Sequence, residues 1–491
     1  MRYFITTSIP YTNAEPHIGF LWEVLIADAF VRFQKQQGND VFFLTGADEN
    51  GLNIVKLAEE KNIPTQKFVD EKAEKFLQLK EKFNLSFDKF IRTSSEEHKK
   101  AVHKFWKLCE EDIYSDYYNG LYCLSCENYY SEEELEGVNC PIHKKPAEKI
   151  SEKNYFFKLI KYLPEVQKLI ESDKIKIEPE SKKREVLNII KSGDIKDLSI
   201  SRNAERMNGW GIKVPNDNSQ IVYVWFDALV NYLSGLGFGL EDENIFENFW
   251  ENGKIYHFIG KDILKFHAIY WIAMLLSAKS LKLPNHIIVH DFIQNNGQKM
   301  SKTLGNVVSP SDLLEKYDID VIRYYFLKQN QFNEFNFSWD KLENVYNGEL
   351  KNEIGNLVGR VFGLLKKSKL EKISLNKEIL DDEIKETQKI ARESFNKSDF
   401  NTGIEKAFLL VKRANQFIDA NKLWEKGEEK QFAVLILILK ELAEIYTPIM
   451  PEKSRVILGA LNLQNSDIFI NKKIDPVRNR ISNGVDFSPL F

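Results

Sequence analysis

Cysteine is scarce in this chain, with four in 491 residues. That excludes a disulfide-stapled scaffold and fits a reducing, cytoplasmic setting. An excess of either charge is also missing. Sixty-eight lysines and arginines face 72 aspartates and glutamates, for a net charge of −4. Overall basicity therefore gives no reason to expect a nucleic-acid partner. Local basic runs, such as Lys182-Lys183-Arg184 and Lys366-Lys367-Ser368-Lys369, remain compatible with one. Long hydrophobic runs are lacking too. The longest apolar stretches, around 432–439 and 268–276, are far short of a membrane span. The first ten residues, MRYFITTSIP, carry no apolar core of signal-peptide length, so no membrane partner is expected. No G-x-x-x-x-G-K-[ST] loop occurs, which excludes a P-loop nucleotide site.

What is present is enough apolar residue, 43% of the chain, to build several cores. A chain this long should hold two to four domains. Residues 2–9 read as a short strand rich in β-branched and aromatic side chains, ended by Pro10. A turn through 12–16 leads to a helix predicted over 17–37, and 41–45 is a second strand. This β-α-β pattern predicts parallel strands. A further strand is predicted at 254–259, a helix at 262–278 and a strand at 286–290. Nucleotides bind beyond the carboxyl ends of such strands. From about 114 to 202 the texture changes, with an Asn119-Gly120 turn signal, a cysteine motif and a lysine-rich segment. After about 344, apolar residues recur at helical spacing over 384–397, 402–421 and 430–446, the mark of a helical bundle. A further helix is predicted over 98–111, where Cys109 reads as a core residue.

The cysteine motif is specific. Cys123-x2-Cys126 is followed, 13 residues on, by Cys140-x2-His143. Two tight pairs of three thiolates and one imidazole suit a tetrahedral zinc ion. Four protein ligands fill the shell, so the expected metal is structural, one per chain.

Two further motifs carry phosphate chemistry. Pro10-Tyr11 is followed by His17-Ile18-Gly19 at a predicted helix start, where free N–H groups and the helix dipole favour an anion. Lys299-Met300-Ser301-Lys302-Thr303 sits in a stretch with Gly297 and Gly305, suited to a loop that closes on a polyphosphate. Gly19 would let backbone approach the nucleotide, and His17 would donate to phosphate.

The pattern resembles class I aminoacyl-tRNA synthetases, and within them the methionyl-tRNA synthetase family over nearly the whole chain. The resemblance rests on SIPYTNAEPHIG (8–19), FLTGADENG (43–51), YCLSCENYYSEEEL (122–135), NYFFKL (154–159), DLSISR (197–202), YVWFDALVNY (223–232), HFIGKDILKFH (257–267), QKMSKTLGNVV (298–308) and GNLVGR (355–360). It implies an α/β fold: a Rossmann-like parallel-sheet catalytic domain (1–113 and 203–343) interrupted by a zinc-binding connective domain (114–202). An α-helical anticodon-binding bundle (344–474) and a tail (475–491) would follow. The implied reaction is activation of L-methionine by ATP with magnesium, then transfer to the tRNA for methionine. His17, Lys299 and Lys302 would be catalytic. Gly19, Gly260, Asp262 and Ser301 would join them in holding ATP. Asp48 would take the methionine ammonium. Ile9, Tyr11, Trp225, Ala228, Tyr232, Ile263, His267 and Trp271 would line the pocket. Asn356, Arg360 and Trp424 would read the anticodon.

The chain departs from the family at three places. Phe20 stands where a second histidine is usual, Asn50 where the DEHG-like block has histidine, and Leu423 where proline precedes the tryptophan. Phe20 cannot donate to phosphate, which keeps open a catalytically weakened or non-catalytic tRNA-binding paralogue. Another class I synthetase is a further alternative, opposed by the short insertion and the pocket tryptophans. With no domain after the bundle, a monomer is expected.

Overall fold

The computed structural model describes residues 1–123, 128–130, 135, 137–141, 144–295, 297–300, 306–368, 370, 372–376, 380, 382–461, 467–469 and 490. The chain forms two compact units. One is Met1–Pro16 with Asn39–His290, the other His17–Gly38 with Asp291–Phe491.

The first unit is built on a parallel sheet of six strands among the described residues. Their order is Lys89–Arg92, Asp40–Ala47, Arg2–Thr7, Lys254–Gly260, His286–His290 and Lys176–Glu178. Every neighbouring pair is parallel, with Tyr3 opposite Lys254 and Thr6 opposite His257 in the central pair. Arg2–Thr7 is buried at every position but its first, as expected of a strand covered on both faces. Strand order reverses between Arg2–Thr7 and Lys254–Gly260. The crevice beyond the carboxyl ends at such a reversal is where α/β sheets bind ligands. Tyr11 follows Arg2–Thr7, Asp48 follows the neighbouring Asp40–Ala47, and Gly260 ends Lys254–Gly260 just before Asp262.

The stretch expected as one insertion divides. Ile113–Cys123 pairs antiparallel with Glu148–Phe157 from Ile113↔Phe157 to Tyr122↔Glu148, with Asn128–Tyr130 and Leu198–Ser199 at the edges. Lys176–Glu178, however, is the edge strand of the nucleotide-type sheet, in parallel with His286–His290. The Asn119-Gly120 signal is not a turn. Both residues lie inside the long strand, opposite Ser151 and Ile150. Glycine there leaves room for the Tyr118 ring, whose Cζ would lie 2.6 Å from a Cβ at 120.

The predicted helix over 262–278 is three pieces: a tight turn at Lys261–Ile263, a widened helical turn at Phe266–Trp271 and a regular helix at Ile272–Ser277. Widened turns of this kind recur at functional sites. Glu96–Leu108 forms as expected, and Cys109 behind it is fully buried in the core.

The second unit holds the helix Ile18–Gln36. Trp22 Nε1 donates to Phe326 O at 3.0 Å, and Asp28 pairs with the buried Arg323 at 2.7 Å. Arg323 also donates to the carbonyls of Ile449 and Pro448, both at 2.9 Å. The helices Asp382–Asn396, Phe400–Ala420 and Glu429–Tyr446 match the predicted ones within two residues. In Phe400–Ala420 the buried set Ile404, Ala407, Leu410, Val411, Ala414 and Ile418 follows the 3.6-residue period. The boundary expected at 344 falls inside an unbroken helical run, Trp339–Val345, Tyr346–Gly355 and Asn356–Lys367. Most of the expected tail, 475–491, lies outside the described residues. Among them, no helix is long and apolar enough to cross a membrane.

Candidate active site

In the first unit, Tyr11 and Asp48 pair as a parallel bridge just past the strand ends. Thr12 N–H donates to Asp48 O at 3.0 Å, and Asp48 N–H to Pro10 O at 2.9 Å. These bonds carry the pairing beyond the regular sheet and fix the Asp48 Cα. Its carboxylate, 3% exposed, is held as well. Oδ1 accepts from Thr93 Oγ1 at 3.2 Å and from the Asn50 N–H at 3.3 Å. The Asn50 amide donates to Asp227 Oδ2 at 3.2 Å and to Thr93 O at 3.4 Å. A buried carboxylate held this firmly is a ready acceptor for a ligand ammonium. Asn50, the departure from the family histidine, thus ties the Asp48 loop to the Val224–Leu229 helix.

An aromatic wall adjoins this carboxylate. Tyr11 meets Trp225 edge-on at 6.3 Å, and Trp225 stacks on Phe266 at 3.7 Å and 8°. Tyr232 lies against the rings of His257 (4.3 Å), His267 (5.7 Å) and Trp271 (6.0 Å). Ala228 and Trp271 are buried, and Ile9 and Ile263 are partly buried against the same core. A Cβ at Gly46 would meet the Ile91 carbonyl oxygen first and the Ile9 Cγ2 at 3.0 Å, so glycine there lets both pack close. Of the nine residues expected to hold methionine, Tyr11 meets Asp48 and Trp225, and Tyr232 meets His267 and Trp271, all within this unit. Phe266 stacks on Trp225, and Thr93, Asn50 and Asp227 form the hydrogen-bond network at Asp48; none of the four was read as a site residue. An acid in the apolar run VWFDALVNY was the available signal for Asp227.

Both ring nitrogens of His267 are engaged within the protein. His267 Nδ1 is 3.0 Å from Ile263 O, and Nε2 is 2.7 Å from Tyr232 Oη. A carbonyl only accepts, so in the neutral ring Nδ1 carries the proton and Nε2 accepts from the tyrosine. His267 orients Tyr232 and does not offer its N–H to the pocket. On the strand side, Asp262 is exposed just beyond Gly260. A Cβ at 260 would come within 2.8 Å of Asp262 Oδ1, so glycine leaves that carboxylate its place.

The second unit positions the phosphate motifs. His17 is the N-cap of Ile18–Gln36, and Gly19 N–H donates to its Nδ1 at 3.0 Å. In the neutral ring this places the proton on Nε2, the correct form for donation to phosphate. A side chain at 19 would sit 2.9 Å from Nδ1, so Gly19 is needed to seat the His17 ring, a more local reason than backbone approach to nucleotide. The second motif is close by. Met300 Cε is 3.9 Å from the Cβ position of Gly19, and Ile18 N–H donates to Val308 O at 3.2 Å. Residues Ile293–Asn295 and Gln298–Lys299 form a hairpin through Gly297, at φ +72°. Gly297 N–H donates to Asn336 Oδ1 at 2.9 Å, and Asn295 Nδ2 to Asn306 O at 2.7 Å. Lys299 closes this hairpin. Ser301 and Lys302 lie outside the described residues.

In the helical part, Asn356 is exposed, and Arg360 one turn on donates to Asn415 Oδ1 at 3.2 Å and pairs with Asp419. Trp424 is 53% exposed, unusual for tryptophan, while Leu423 beside it is buried and anchors the segment. Of the metal motif, Cys123 and Cys140 are described. Both are buried in one small cluster with Leu135, and neither is in a disulfide. Cys140 opens a tight turn in which Lys144 N–H donates to its carbonyl at 2.8 Å. Two thiols buried together beside such a turn fit half of a zinc site. Cys126 and His143 lie outside the described residues, and no group of potential metal ligands is complete among the described ones.

A parallel sheet with its ligand crevice at the strand reversal, a histidine-capped helix and a lysine hairpin define a class I aminoacyl-tRNA synthetase. The family described as "tRNA synthetases class I (M)" matches residues 3–149 and 133–362. The chain is 37% identical to the methionine–tRNA ligase of Fusobacterium nucleatum, over 97% of this chain and 77% of that protein. It is 36% identical to that of Rickettsia conorii, over 95% and 94%. Among solved structures, Mycobacterium tuberculosis methionyl-tRNA synthetase in complex with methionyl-adenylate superposes with a TM-score of 0.86 at 32% identity, covering 94% of each chain. This chain belongs to the methionine–tRNA ligase family.

Proposed function

We propose that the protein activates L-methionine with ATP and transfers it to the tRNA for methionine. The observation that carries this is the buried Asp48 carboxylate, held by Thr93 and Asn50 beside an aromatic wall. A carboxylate selects the ammonium, and rings suit a polarizable thioether. Bound so, the methionine carboxylate attacks the α-phosphate of ATP and pyrophosphate leaves. A ribose hydroxyl at the tRNA 3′ end then attacks the methionyl carbonyl, and AMP leaves. His17, with its proton on Nε2, and Lys299 and Lys302 stabilise the charge that gathers on phosphate oxygens, the work that dominates such transfers. Gly19 seats His17, and Ser301 belongs to the closing loop. Asp262 takes the ribose hydroxyls beside Gly260. Magnesium, bound with ATP, supplies further neutralisation.

Asn356, Arg360 and Trp424 form the anticodon contact in this reading, an amide, a guanidinium and an exposed ring suited to unpaired bases. Cys123, Cys126, Cys140 and His143 hold one structural zinc. The protein works in the cytoplasm as a monomer. The test is ATP–pyrophosphate exchange by purified protein with magnesium, comparing methionine with valine, leucine, isoleucine and cysteine. Exchange that depends on methionine alone is expected. No exchange with any of them, from folded zinc-loaded protein, would sink the reading.

A further inference from the structure

The hairpin that carries Lys299 is slight. Its outer strand, Gln298–Lys299, pairs with Ile293–Asn295 at only two positions, and Ile293–Asn295 in turn lies parallel to Phe335–Phe337. So short an edge strand gains little from backbone pairing alone. Two asparagine side chains add to it from opposite sides. Asn336, in the neighbouring strand, accepts the Gly297 N–H through Oδ1 at 2.9 Å and so holds the turn of the hairpin. Asn295 donates from Nδ2 to the Asn306 carbonyl at 2.7 Å and so holds the base of the loop. The partners fix which way each amide points, because a backbone N–H only donates and a carbonyl only accepts. Asn336 works through its oxygen and Asn295 through its N–H. Two residues beyond Asn306, Val308 O accepts the N–H of Ile18, the residue after the His17 N-cap. Met300, next to Lys299, reaches within 3.9 Å of the Gly19 Cβ position. The base of the loop is thus bonded to the hairpin on one side and, two residues on, to the start of the His17 helix.

We propose that Asn295 and Asn336 are positioning residues for the adenylation step, which keep the backbone at Lys299 in register with the His17 helix. Neither touches substrate. Charge stabilisation of a phosphoryl transfer depends on donors that are already in place when the charge develops. A hairpin with two paired positions needs both amides to stay in place. The loss of one such bond shifts the population of the held hairpin by roughly two- to tenfold. The second step involves no polyphosphate, because pyrophosphate has left, so it does not need the hairpin. The inference rests on the reaction proposed above.

The experiment is single-turnover kinetics on the full-length protein. Methionyl-adenylate formation is followed from ATP and methionine, and transfer to tRNA is followed from the isolated adenylate complex. Asn336→Leu and Asn295→Leu each remove a bond. Asn336→Asp keeps the acceptor oxygen, whereas Asn295→Asp removes the donor and adds the same charge. The expected result is a rate constant for adenylate formation lower by roughly two- to tenfold in Asn336→Leu, Asn295→Leu and Asn295→Asp. Asn336→Asp should stay close to wild type. Transfer to tRNA and the KM for methionine should be unchanged in all four. A first-order rate constant does not depend on how much of a sample is folded, so partial unfolding of a variant cannot imitate this pattern. Unchanged formation in the two Leu variants, equal loss in the two Asp variants, or transfer slowed as much as formation would overturn the inference. A wild-type protein that forms no methionyl-adenylate would instead refute the function proposed above.

Discussion

At the scale of single residues, the proposed ammonium site depends on a side chain that sequence patterns do not single out. Thr93 Oγ1 bonds Asp48 Oδ1, and Thr93 O receives the Asn50 amide. Thr93→Val should therefore raise the KM for methionine about three- to tenfold, from the loss of one bond to a charged group, and leave kcat nearly unchanged. Thr93→Ser should restore the KM. Exchange kinetics over a methionine series decide it, and a fall in kcat with constant KM would show that Thr93 acts elsewhere. Phe20 is the opposite case, a residue visible at once as a departure and mute about its consequence. The His17 N-cap and its bond from Gly19 N–H form without a second histidine. Phe20→His should raise adenylation, by up to about 10²–10³ if the new ring acts as one more donor to the developing charge. An unchanged or lower rate would mean that the helix start has adapted to phenylalanine.

At the scale of elements, what was legible followed from period and punctuation. The helices of the second unit have one apolar face each, so the 3.6-residue spacing located Phe400–Ala420 and Glu429–Tyr446 nearly to the residue. Buried strands such as His286–His290 were found from their apolar runs. Misreadings came where tertiary context overrode a local signal. Asn119-Gly120 has turn composition, but continuous pairing with Ser151 and Ile150 keeps it in a strand. Lys176–Glu178 is only three residues long and gains its identity from a partner more than a hundred positions away. The aromatic stack of Trp225 on Phe266 depends on the widened turn Phe266–Trp271, which no spacing rule foretells. The metal motif is an expectation from spacing alone, and the sheet beside it supplies a test. Cys123 ends the long strand Ile113–Cys123, so the zinc should pin the far end of that hairpin sheet. Metal analysis should find one zinc per chain. Chelation should increase proteolysis and hydrogen exchange over 113–157 while the helix Glu429–Tyr446 stays protected. Full protection of 113–157 after complete metal removal would exclude a structural role.

At the scale of the whole molecule, the two units carry buried titratable groups of opposite sign. The first unit holds the buried His98, whose pKa burial pushes down to about 3, and the half-buried His286, which partial burial pushes down to about 4. His257, fully buried, also lies well below its ordinary value. In the unfolded chain all three titrate near 6.5. Between those limits the unfolded chain binds more protons, so the stability of this unit is full above pH 6.5 and falls as pH drops toward 4. Each histidine contributes about 1.4 kcal/mol per pH unit in that window. The second unit has Asp320, whose pKa burial raises to about 6 despite its bond from Lys453 N–H. There the folded state binds the extra proton between the ordinary aspartate value and 6, so acidification across that window adds stability. The two units should part company in mild acid. Hydrogen exchange at pH 5, corrected for intrinsic rates and compared with pH 7, should show Arg2–Thr7 and Lys254–Gly260 losing protection before Ile319–Leu327. His98→Gln, which removes one titrating group while keeping a polar partner for Ser234, should shrink the loss in the first unit by about 1–2 kcal/mol at pH 5. Equal loss in both units, or a His98→Gln protein with the same acid response, would show that these buried histidines do not govern the acid limb.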